Sequence, residues 1–421
     1  MARAVVVGGG IGGLTAAVAL QRRGWEVTVL ERAASLEPVG SGLAVAANAL
    51  RALDTIGAGD DVRALAAVQG DGGVRSASGR WLARTSAEAV FARHGDMAVL
   101  LRRAQLADAL VARLAPGTVR LGAEVTGVDP ETGEVAFAAG PATPGKGGQA
   151  TAGAGERGGA PGAGGGPGNE LRNRLAADLV VAADGIHSPV RAALFPGHPG
   201  PRYAGITSWR LLVPAEGVPG QASESWGAGR VFGIMPLAGG LTYCYATDTV
   251  PPGGDPGDGA ARLAELRRLF AGWHAPIPEL LAAATPETVL RNDVHHLAVP
   301  LPALHRGRVA LLGDAAHAMT PNLGQGACQA IEDAVVLAHL AGPGDGPAGD
   351  VAARLADYTA ARLARTSEIV SRSAAICRAT KIRNPLAVRL RDTAMALAAR
   401  VAPEKAAGAG DVIFGWRPPT G

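Results

Sequence analysis

The sequence feature that most constrains the fold is a glycine-rich turn close to the N-terminus. A short apolar segment, Arg3–Val7, runs into the pattern Gly8-x-Gly10-x-x-Gly13, and a helical pattern and a second apolar segment, 27–30, follow. Glycines at this spacing allow a tight strand-to-helix turn, let the backbone approach a pyrophosphate and let the helix pack closely on the strand. The sequence therefore predicts a β-α-β unit that binds a dinucleotide.

An acidic residue ends the second apolar segment. Glu31 lies about 18 residues beyond Gly13, close to the spacing at which this unit places a carboxylate on a ribose 2′-hydroxyl. A carboxylate there disfavours a 2′-phosphate, so the expected dinucleotide is FAD or NAD(H). Arg32, the next residue, is a further candidate for contact with the cofactor.

Two later apolar segments also end in polar loops that contain glycine. The segment 177–183 leads to Asp184. The segment 309–312 leads to Asp314, and a long helical pattern, 327–340, follows. A strand that delivers a carboxylate to a loop before a helix N-terminus creates a site for an anion or a polyol. The candidate cofactor residues in these loops are Asp184, Gly313, Asp314, Gly324, Gln325 and Gly326.

These three motifs, in this order, are the pattern of one enzyme family. From Met1 to about Leu340 the chain resembles the single-component flavoprotein aromatic hydroxylases, of the 4-hydroxybenzoate and salicylate hydroxylase type. The resemblance implies an α/β fold, with a Rossmann-like FAD-binding domain, an inserted β-sheet substrate domain and a C-terminal helical segment. The implied division is a cofactor domain of 1–70, 100–195 and 285–345, a substrate domain of 71–99 and 196–284, and a helical segment of 346–421.

Two stretches of the chain have a composition of their own. Residues 140–169 are rich in Gly, Ala and Pro, and we expect a flexible insertion because such a stretch buries too little apolar area to offset its ordering entropy. Near the C-terminus, alanine-rich helical patterns at 352–373 and 386–400 carry many arginines, with Asn384-Pro385 as the break between them. We expect these arginines to form a solvated face.

The resemblance also implies roles for residues around the flavin. Gly42 belongs to the loop that flanks the flavin, and Arg103, or else its neighbour Arg102, is the arginine that approaches the cofactor. Asp314 would bond the ribityl chain, with an ordinary helix-capping role as the alternative. The backbone of residues 324–326 would lie beneath the isoalloxazine ring.

The chemistry that the resemblance implies is that of the flavin. Bound FAD is reduced by NADH or NADPH, and the reduced flavin reacts with dioxygen to give a C4a-hydroperoxide. This species hydroxylates an aromatic substrate, such as a phenol or an aromatic acid. Only one dinucleotide fingerprint is present in the sequence, so the nicotinamide would bind transiently. Pro321 would wall the site at which oxygen reacts.

Candidate substrate residues come from strand alternation. In the segment 241–247, Tyr243 and Tyr245 share one face, so either could orient a phenol. His295, or its neighbour His296, could supply a base that deprotonates the phenol. Relatives often carry Asp at the position of His296, so the resemblance does not settle which residues contact the substrate. Further wall candidates are Arg210, Trp226 and Met235. For each of these residues a core or surface role is the competing interpretation.

Three other functions are open at this point. Within the same chemistry, the alternative is epoxidation or oxidative rearrangement of a polyketide- or terpenoid-like metabolite. A flavin dehydrogenase or reductase would pass electrons without inserting oxygen, and a flavin-binding protein could only sequester a ligand. The fate of labelled dioxygen separates the reactions that insert oxygen from the dehydrogenase and from the sequestering protein.

Composition narrows the class of protein. In a chain of 421 residues, 48% hydrophobic content predicts a globular protein. No run approaches the ~20 apolar residues of a bilayer span, and the N-terminus enters a strand without a leader. The net charge of +3 comes from dispersed arginines, which disfavours nucleic acid as a partner. Three scattered cysteines, Cys244, Cys328 and Cys377, favour a reducing, cytoplasmic compartment and no metal cluster. A monomer and a homodimer are both compatible with this composition.

Overall fold

The computed structural model describes residues 1–36, 41–67, 71–139, 172–214, 221–343, 351–401, 408 and 410–419. The segment expected to be a flexible insertion, 140–169, lies outside these described residues.

Strands and helices of the described residues form a mixed α/β structure. The strands are β1 (Arg3–Val7), β2 (Glu26–Leu30), β3 (Gly42–Val45), β4 (Gly72–Ser76), β5 (Trp81–Thr85), β6 (Val99–Arg102), β7 (Val119–Arg120), β8 (Ala123–Val128), β9 (Glu134–Ala139), β10 (Arg172–Ala176), β11 (Leu179–Ala182), β12 (Arg202–Pro214), β13 (Ser223–Trp226), β14 (Arg230–Leu237), β15 (Leu241–Asp248), β16 (Leu290–His296), β17 (His305–Arg306) and β18 (Val309–Leu311). The helices are α1 (Ile11–Gln21), α2 (Ala47–Thr55), α3 (Gly59–Ala64), α4 (Ala87–His94), α5 (Arg103–Val111), α6 (Pro189–Leu194), α7 (Gly259–Phe270), α8 (Ile277–Ala283), α9 (Asp314–His317), α10 (Gly326–Ala341), α11 (Val351–Thr380), α12 (Pro385–Val401) and α13 (Asp411–Phe414). Short 3-10 turns cover Pro286–Thr288 and Pro321–Leu323.

A six-stranded sheet carries the three motifs. Its order is β17-β18-β11-β1-β2-β7, and every pair is parallel except β17 with β18. The central strands are apolar because both faces are covered, and Val6, Val29 and Val181 have no exposed surface. Since parallel strands end at the same edge, the loops after β2, β1, β11 and β18 lie side by side there.

A seven-stranded sheet, ordered β16-β12-β15-β14-β13-β4-β5, forms the second layer. One face packs α7 and α8 around Trp209, Phe232 and Phe270. The other face meets the β3-β6 ribbon, where Leu100 contacts Tyr243. The sheet therefore stands over the loop that contains Gly42.

The pairing of β16 corrects one predicted boundary. The sequence division assigned 285–345 to the cofactor part, but β16 pairs antiparallel with β12, for example Leu290 with Arg210 and His296 with Arg202. Residues 290–296 thus belong to the seven-stranded sheet. The correction has a physical reason: this partner lies about 80 residues away, and a pattern of alternation does not specify which strand pairs with which.

The C-terminal helices extend the predicted segments. The patterns at 352–373 and 386–400 become α11 and α12, and the Oδ1 atom of Asn384 caps α12 by accepting from the Leu386 N–H at 2.9 Å. Helix α11 packs on α10, which packs on α1. Among the described residues no helix combines the length and the apolar character that a membrane crossing requires.

One arginine of α11 departs from the expected solvated face. Arg362 is 1% exposed and donates to the Oε2 atom of Glu332 at 2.6 Å and to the Oδ1 atom of Asp333 at 2.7 Å. The other oxygen of Asp333 accepts from the Gly313 N–H at 3.0 Å and contacts the Nε2 atom of His317 at 2.5 Å. The buried charge is accommodated because both carboxylates face it. This ion network therefore ties α10 and α11 to the loop after β18.

Asp333 is ionised in the folded protein. Burial by itself raises the pKa of this carboxyl, but His317 and Arg362 outweigh it and hold the pKa well below its usual range. A lowered pKa in the folded state means that the stabilisation is present above the unfolded value, near ~3.9, and is lost as the pH falls through the lower, folded value.

Asp333→Asn tests this network. The variant leaves the fully buried Arg362 with one carboxylate, and we expect the free energy of unfolding at pH 7 to fall by about 3 kcal/mol or more, measured by urea denaturation. Glu368→Gln is the control, because its pair with Arg372 on α11 is about half exposed and should cost less than about 1 kcal/mol. Equal effects of the two variants would contradict this account.

Candidate cofactor cleft and substrate wall

The glycines after β1 serve two different purposes. Gly8 has φ +104°, and a Cβ there would lie 2.4 Å from the Ala183 carbonyl oxygen. A Cβ on Gly13 would lie 2.0 Å from the Gly8 carbonyl oxygen. At Gly10, by contrast, a Cβ would meet only the Nη2 atom of Arg103, at 3.8 Å. The fold itself requires Gly8 and Gly13, whereas the open space at Gly10 is free for a ligand.

A cleft opens above these glycines, between the two sheets. It consists of one cavity of about 230 Å³ and a neighbouring one of about 450 Å³, which share Gly10, Arg103 and Arg210. We call the two together the cofactor cleft. Of the sequence-predicted residues, the cleft brings together Gly10, Glu31, Gly42, Arg103, Gly313, Asp314 and Gly326, together with Arg210. Arg102 and Arg32 are exposed and line neither cavity.

The acid at the end of β2 is fixed beside the glycine turn. The Oε2 atom of Glu31 accepts from the Gly9 N–H at 2.6 Å, and its Oε1 atom accepts from the Ala33 N–H at 2.8 Å. The carboxylate therefore lies at the outer end of the cleft, where the motif predicts contact with a ribose.

Asp314 faces the cleft with a free carboxylate. It follows Gly313, whose φ of +58° lets the chain turn sharply after β18. Within the described residues the Asp314 side chain accepts no hydrogen bond and makes no cap to α9. Its Oδ1 atom lies 4.0 Å from the position of a Cβ on Gly326. The geometry thus favours a ligand contact over the capping alternative.

Arg103 and Asp314 place opposite charges close to each other in the cleft. Burial lowers the pKa of the Arg103 guanidinium, while the Asp314 carboxylate opposes that shift. Arg103 remains charged at neutral pH because the ordinary pKa of arginine exceeds ~12. A phosphate or a polyol entering the cleft therefore meets a cation on one side and an acceptor on the other.

The Asp-Gly loop supplies a second unsatisfied acceptor. The Oδ2 atom of Asp184 accepts from the Val190 N–H at 3.3 Å, while its Oδ1 atom is buried and has no partner among the described residues. Burial raises the pKa of this carboxyl, and its hydrogen bonds lower it. Asp184 itself lines neither cavity, but its neighbours Ala183 and Gly185 do line the cleft, so this oxygen lies at the edge of the cleft.

The start of α10 presents backbone to the cleft. Gly324 takes φ +62°, and α10 begins at Gly326, so the first N–H groups of the helix have no partner within it. The side chain of Gln325 points away from the cleft, because its Oε1 atom accepts from Asn48 at 3.0 Å and from Gln329 at 3.1 Å. Gln325 can therefore contribute only backbone atoms to a ligand.

Pro321 and its neighbour form the turn before α10. Pro321 is exposed on this turn and lines neither cavity of the cofactor cleft. The Oδ1 atom of Asn322 is buried without a partner among the described residues. Sequence reasoning missed Asn322, although its position directly after Pro321 was a signal.

The two tyrosines of β15 have different surroundings. The hydroxyl of Tyr245 donates to the Oε1 atom of Glu224 at 2.5 Å. The Nε1 atom of Trp226 donates to the Oε2 atom of Glu224 at 2.9 Å. The ring of Tyr243 lies against Gly42, within 2.5 Å of where a Cβ would be. The Tyr243 hydroxyl has no hydrogen-bond partner among the described residues. Tyr243 is thus the tyrosine available to a ligand, and Tyr245 is committed to the wall.

Tyr243 remains a neutral phenol at physiological pH. Burial raises the pKa of Tyr243 to about 12, although Arg210 opposes the shift. Its hydroxyl can therefore both donate and accept a hydrogen bond.

Glu224 is a wall residue that sequence reasoning missed. Burial raises the pKa of its carboxyl, and the donors Tyr245 and Trp226 lower it. The signal in the sequence was an acid on the short strand β13, on the same face as Trp226.

The remaining predicted substrate residues divide into two groups. Met235 pairs with Tyr243 across β14 and β15 and belongs to the same apolar cluster, and Arg210 reaches the cleft and donates to the Oδ1 atom of Asn292 at 2.6 Å. His295 instead packs against His187 and Tyr203, with ring centroids 6.2 and 5.7 Å apart, and lines neither cavity of the cleft. The geometry does not favour His295 as a base.

One further missed residue joins the loops of the cleft. Arg191 is buried and donates to the Ile186 carbonyl oxygen at 2.6 Å and to the Ala315 carbonyl oxygen at 3.0 Å. These bonds hold the Asp-Gly loop against the Gly-Asp loop. Arg191 was visible in the sequence only as the end of the Asp-Gly segment.

Comparison with known proteins gives consistent matches. The family described as FAD binding domain matches residues 1–212 and 263–373. The chain is 36% identical to the aurachin C monooxygenase/isomerase of Stigmatella aurantiaca over 93% of each protein. It is 34% identical to the 3-amino-4-hydroxybenzoate 2-monooxygenase of Streptomyces platensis over 95% of this chain and 93% of that one. Klebsiella pneumoniae HpxO, solved with FAD and uric acid, aligns at TM-score 0.82 with 28% identity, over 100% of this chain and 98% of that one.

Gly10→Val tests the ligand-facing role of the glycine turn. A side chain at position 10 meets open space in the protein alone, so the variant should fold, with the melting temperature of the unaltered protein stripped of FAD. Its side chain occupies the approach to the pyrophosphate, so we expect FAD content after purification to fall about tenfold or more, measured by flavin absorbance.

Gly13→Val is the contrasting variant, because its Cβ collides with the backbone of Gly8. It should lose folding itself, seen as a cooperative unfolding transition that disappears from circular dichroism. A Gly10→Val protein with full FAD content would refute the assignment of this turn.

Proposed function

This chain belongs to the FAD-binding-domain family, among the FAD-dependent monooxygenases, and on that premise we propose that it hydroxylates an aromatic substrate. NADH or NADPH serves as the reductant and dioxygen as the oxidant. The observation that carries the proposal is the position of the free Tyr243 hydroxyl on a wall that closes over the cofactor cleft at Gly42.

The residues of the cleft fit FAD. The open approach at Gly10, the unpaired oxygen of Asp184 and the free carboxylate of Asp314 are groups that a dinucleotide with a ribityl chain would satisfy. Gly8–Gly13 and Glu31 would hold the adenosine half. When bound, FAD takes electrons from the nicotinamide and activates dioxygen for transfer to the substrate.

The protein positions the substrate and keeps water away from it. Tyr243 orients a ring hydroxyl or amine by one hydrogen bond. The surrounding wall is apolar, with Leu100 and Leu237 almost fully buried around the tyrosine, so water is excluded from the substrate. The N-terminus of α10 favours negative charge at the cleft, and Pro321 closes this end without adding a backbone donor.

The reductant binds transiently in this proposal. The sequence carries one fingerprint for a dinucleotide, and FAD uses it. The exposed positions of Pro321 and Gly324 support an approach to the same cleft from solvent.

A second candidate reaction has specific support. The relative from Stigmatella aurantiaca is named a monooxygenase and an isomerase, and it matches 93% of this chain. That name favours oxygen insertion followed by rearrangement of the product as the alternative to simple hydroxylation. Both reactions place one atom of dioxygen in the product, so they share the same cleft and wall.

A cytoplasmic location belongs to the same proposal. Cys244, Cys328 and Cys377 are free and buried, which supports a reducing compartment. We propose a monomer or a homodimer as the working form.

Tyr243→Phe tests the substrate wall. The hydroxyl has no protein partner among the described residues, so the free energy of unfolding should be unchanged. The loss of one hydrogen bond to the substrate should reduce kcat/KM about three- to tenfold in a steady-state assay.

Tyr245→Phe is the matched control. It removes a donor from Glu224 and should destabilise the protein by about 1–3 kcal/mol, with a smaller effect on kcat/KM. The reverse result, a catalytic loss at Tyr245 alone, would show that Tyr243 is only a packing residue.

Labelled dioxygen tests the reaction itself. In a screen of phenols and aromatic acids, the true substrate should accelerate the oxidation of NADH or NADPH, and its product should carry one labelled oxygen atom by mass spectrometry. Poor substrates should divert electrons to hydrogen peroxide. Product oxygen derived from water, or a product oxidised without gain of oxygen, would instead indicate a dehydrogenase.

A further inference from the structure

A third cavity lies outside the cofactor cleft. It has a volume of about 320 Å³ and runs between α11 and the segment 297–304 that leaves β16. We call it the α11 cavity. It shares no lining residue with the cofactor cleft, and it touches the cofactor loop only from behind, at Ala316 and His317.

The α11 cavity is apolar at one end. Leu301, Leu304 and Leu363 line it there. The Leu304 N–H donates to the Oγ1 atom of Thr359 at 3.0 Å, which fixes this end one helical turn from Leu363.

The other end of the α11 cavity is basic. Arg378 lines it and lies about 22 Å along the helix from Leu363. His296 lies at the same end, because it pairs with Arg202 at the start of β12, and Lys381 donates to the nearby Ala204 carbonyl oxygen at 2.8 Å.

The lining of the α11 cavity has unsatisfied polar groups and a positive charge. Arg378 is exposed and makes no hydrogen bond or ion pair with the described residues, and no carboxylate lines the cavity. The Nδ1 atoms of His296 and His317 are buried without a partner in the described part of the chain, and His317 is only 5% exposed. Buried ring nitrogens of this kind normally have a partner.

We propose that the α11 cavity binds a small monocarboxylate with an apolar tail, at a site separate from that of the substrate. The carboxylate pairs with Arg378 at the basic end, and the tail lies along Val370 towards Leu363 and Leu304.

The site adjoins the network that holds the cofactor loop. Among the described residues, the only polar contact of the His317 ring is its Nε2 atom with Asp333, which also accepts the Gly313 N–H. His317, which lines the α11 cavity, is therefore two hydrogen bonds from Gly313.

Isothermal titration calorimetry of the FAD-loaded protein with butyrate, hexanoate and octanoate tests the proposal. We expect one equivalent to bind, with an affinity that rises about fourfold for each added methylene. Arg378→Gln should weaken octanoate binding about tenfold or more, because it removes the charged partner from an exposed position without affecting the core. Ser367 on α11 also lines the cavity, so Ser367→Phe should fill the space between its two ends and abolish binding.

Arg372→Gln is the matched control. It removes the same charge from the same helix, but Arg372 does not line the α11 cavity, so octanoate should bind it as it binds the unaltered protein. An absence of binding to the unaltered protein would show that the cavity holds only water and would overturn the proposal. An affinity that ignores Arg378→Gln and Ser367→Phe, or that falls equally in Arg372→Gln, would also overturn it by placing the carboxylate elsewhere.

Discussion

The contact between Arg362 and Asp333 is the interaction on which the rest of the structure depends. A buried ion pair gains little net stability, since the desolvation of both charges offsets most of their attraction. Its effect here is positional. Asp333 accepts from Gly313 with one oxygen and from Arg362 with the other, so the long helix α11, the helix α10 and the end of β18 are fixed at one point. The loop that carries Asp314 starts from that point.

Two kinds of constraint act on the cofactor cleft, and the structure separates them. Gly8 and Gly13 must be glycine because the protein backbone fills the space of a side chain. At Gly10 the protein itself leaves room for a side chain, so the proposed ligand is what requires glycine there. The same distinction applies to acceptors: Glu31 is satisfied by backbone N–H groups, whereas Asp314 and one oxygen of Asp184 are not. In the proposed function, the ligand supplies the contacts that the protein does not provide to these two groups.

The sequence predicted the elements that depend on local pattern. The strand Arg3–Val7 begins and ends as predicted, and the helical pattern 327–340 corresponds to α10. What it could not predict depends on distant partners. The pairing of β16 with β12 and the burial of Arg362 are decided by contacts that no periodicity encodes, and an arginine in an alanine-rich helix is normally solvated. For the same reason Glu224, whose partners are Trp226 and Tyr245, was not singled out.

The substrate wall combines a satisfied and an unsatisfied phenol. Tyr245 and Trp226 saturate both oxygens of Glu224, so this part of the wall is rigid and has no donor to spare. The ring centroids of Tyr243 and Tyr245 are 5.9 Å apart. The Tyr243 hydroxyl nevertheless makes no hydrogen bond with the described residues. A phenylalanine would fill the space against Gly42 equally well, so packing alone does not require the hydroxyl. In the proposed function, the free hydroxyl at position 243 is the group that orients the substrate.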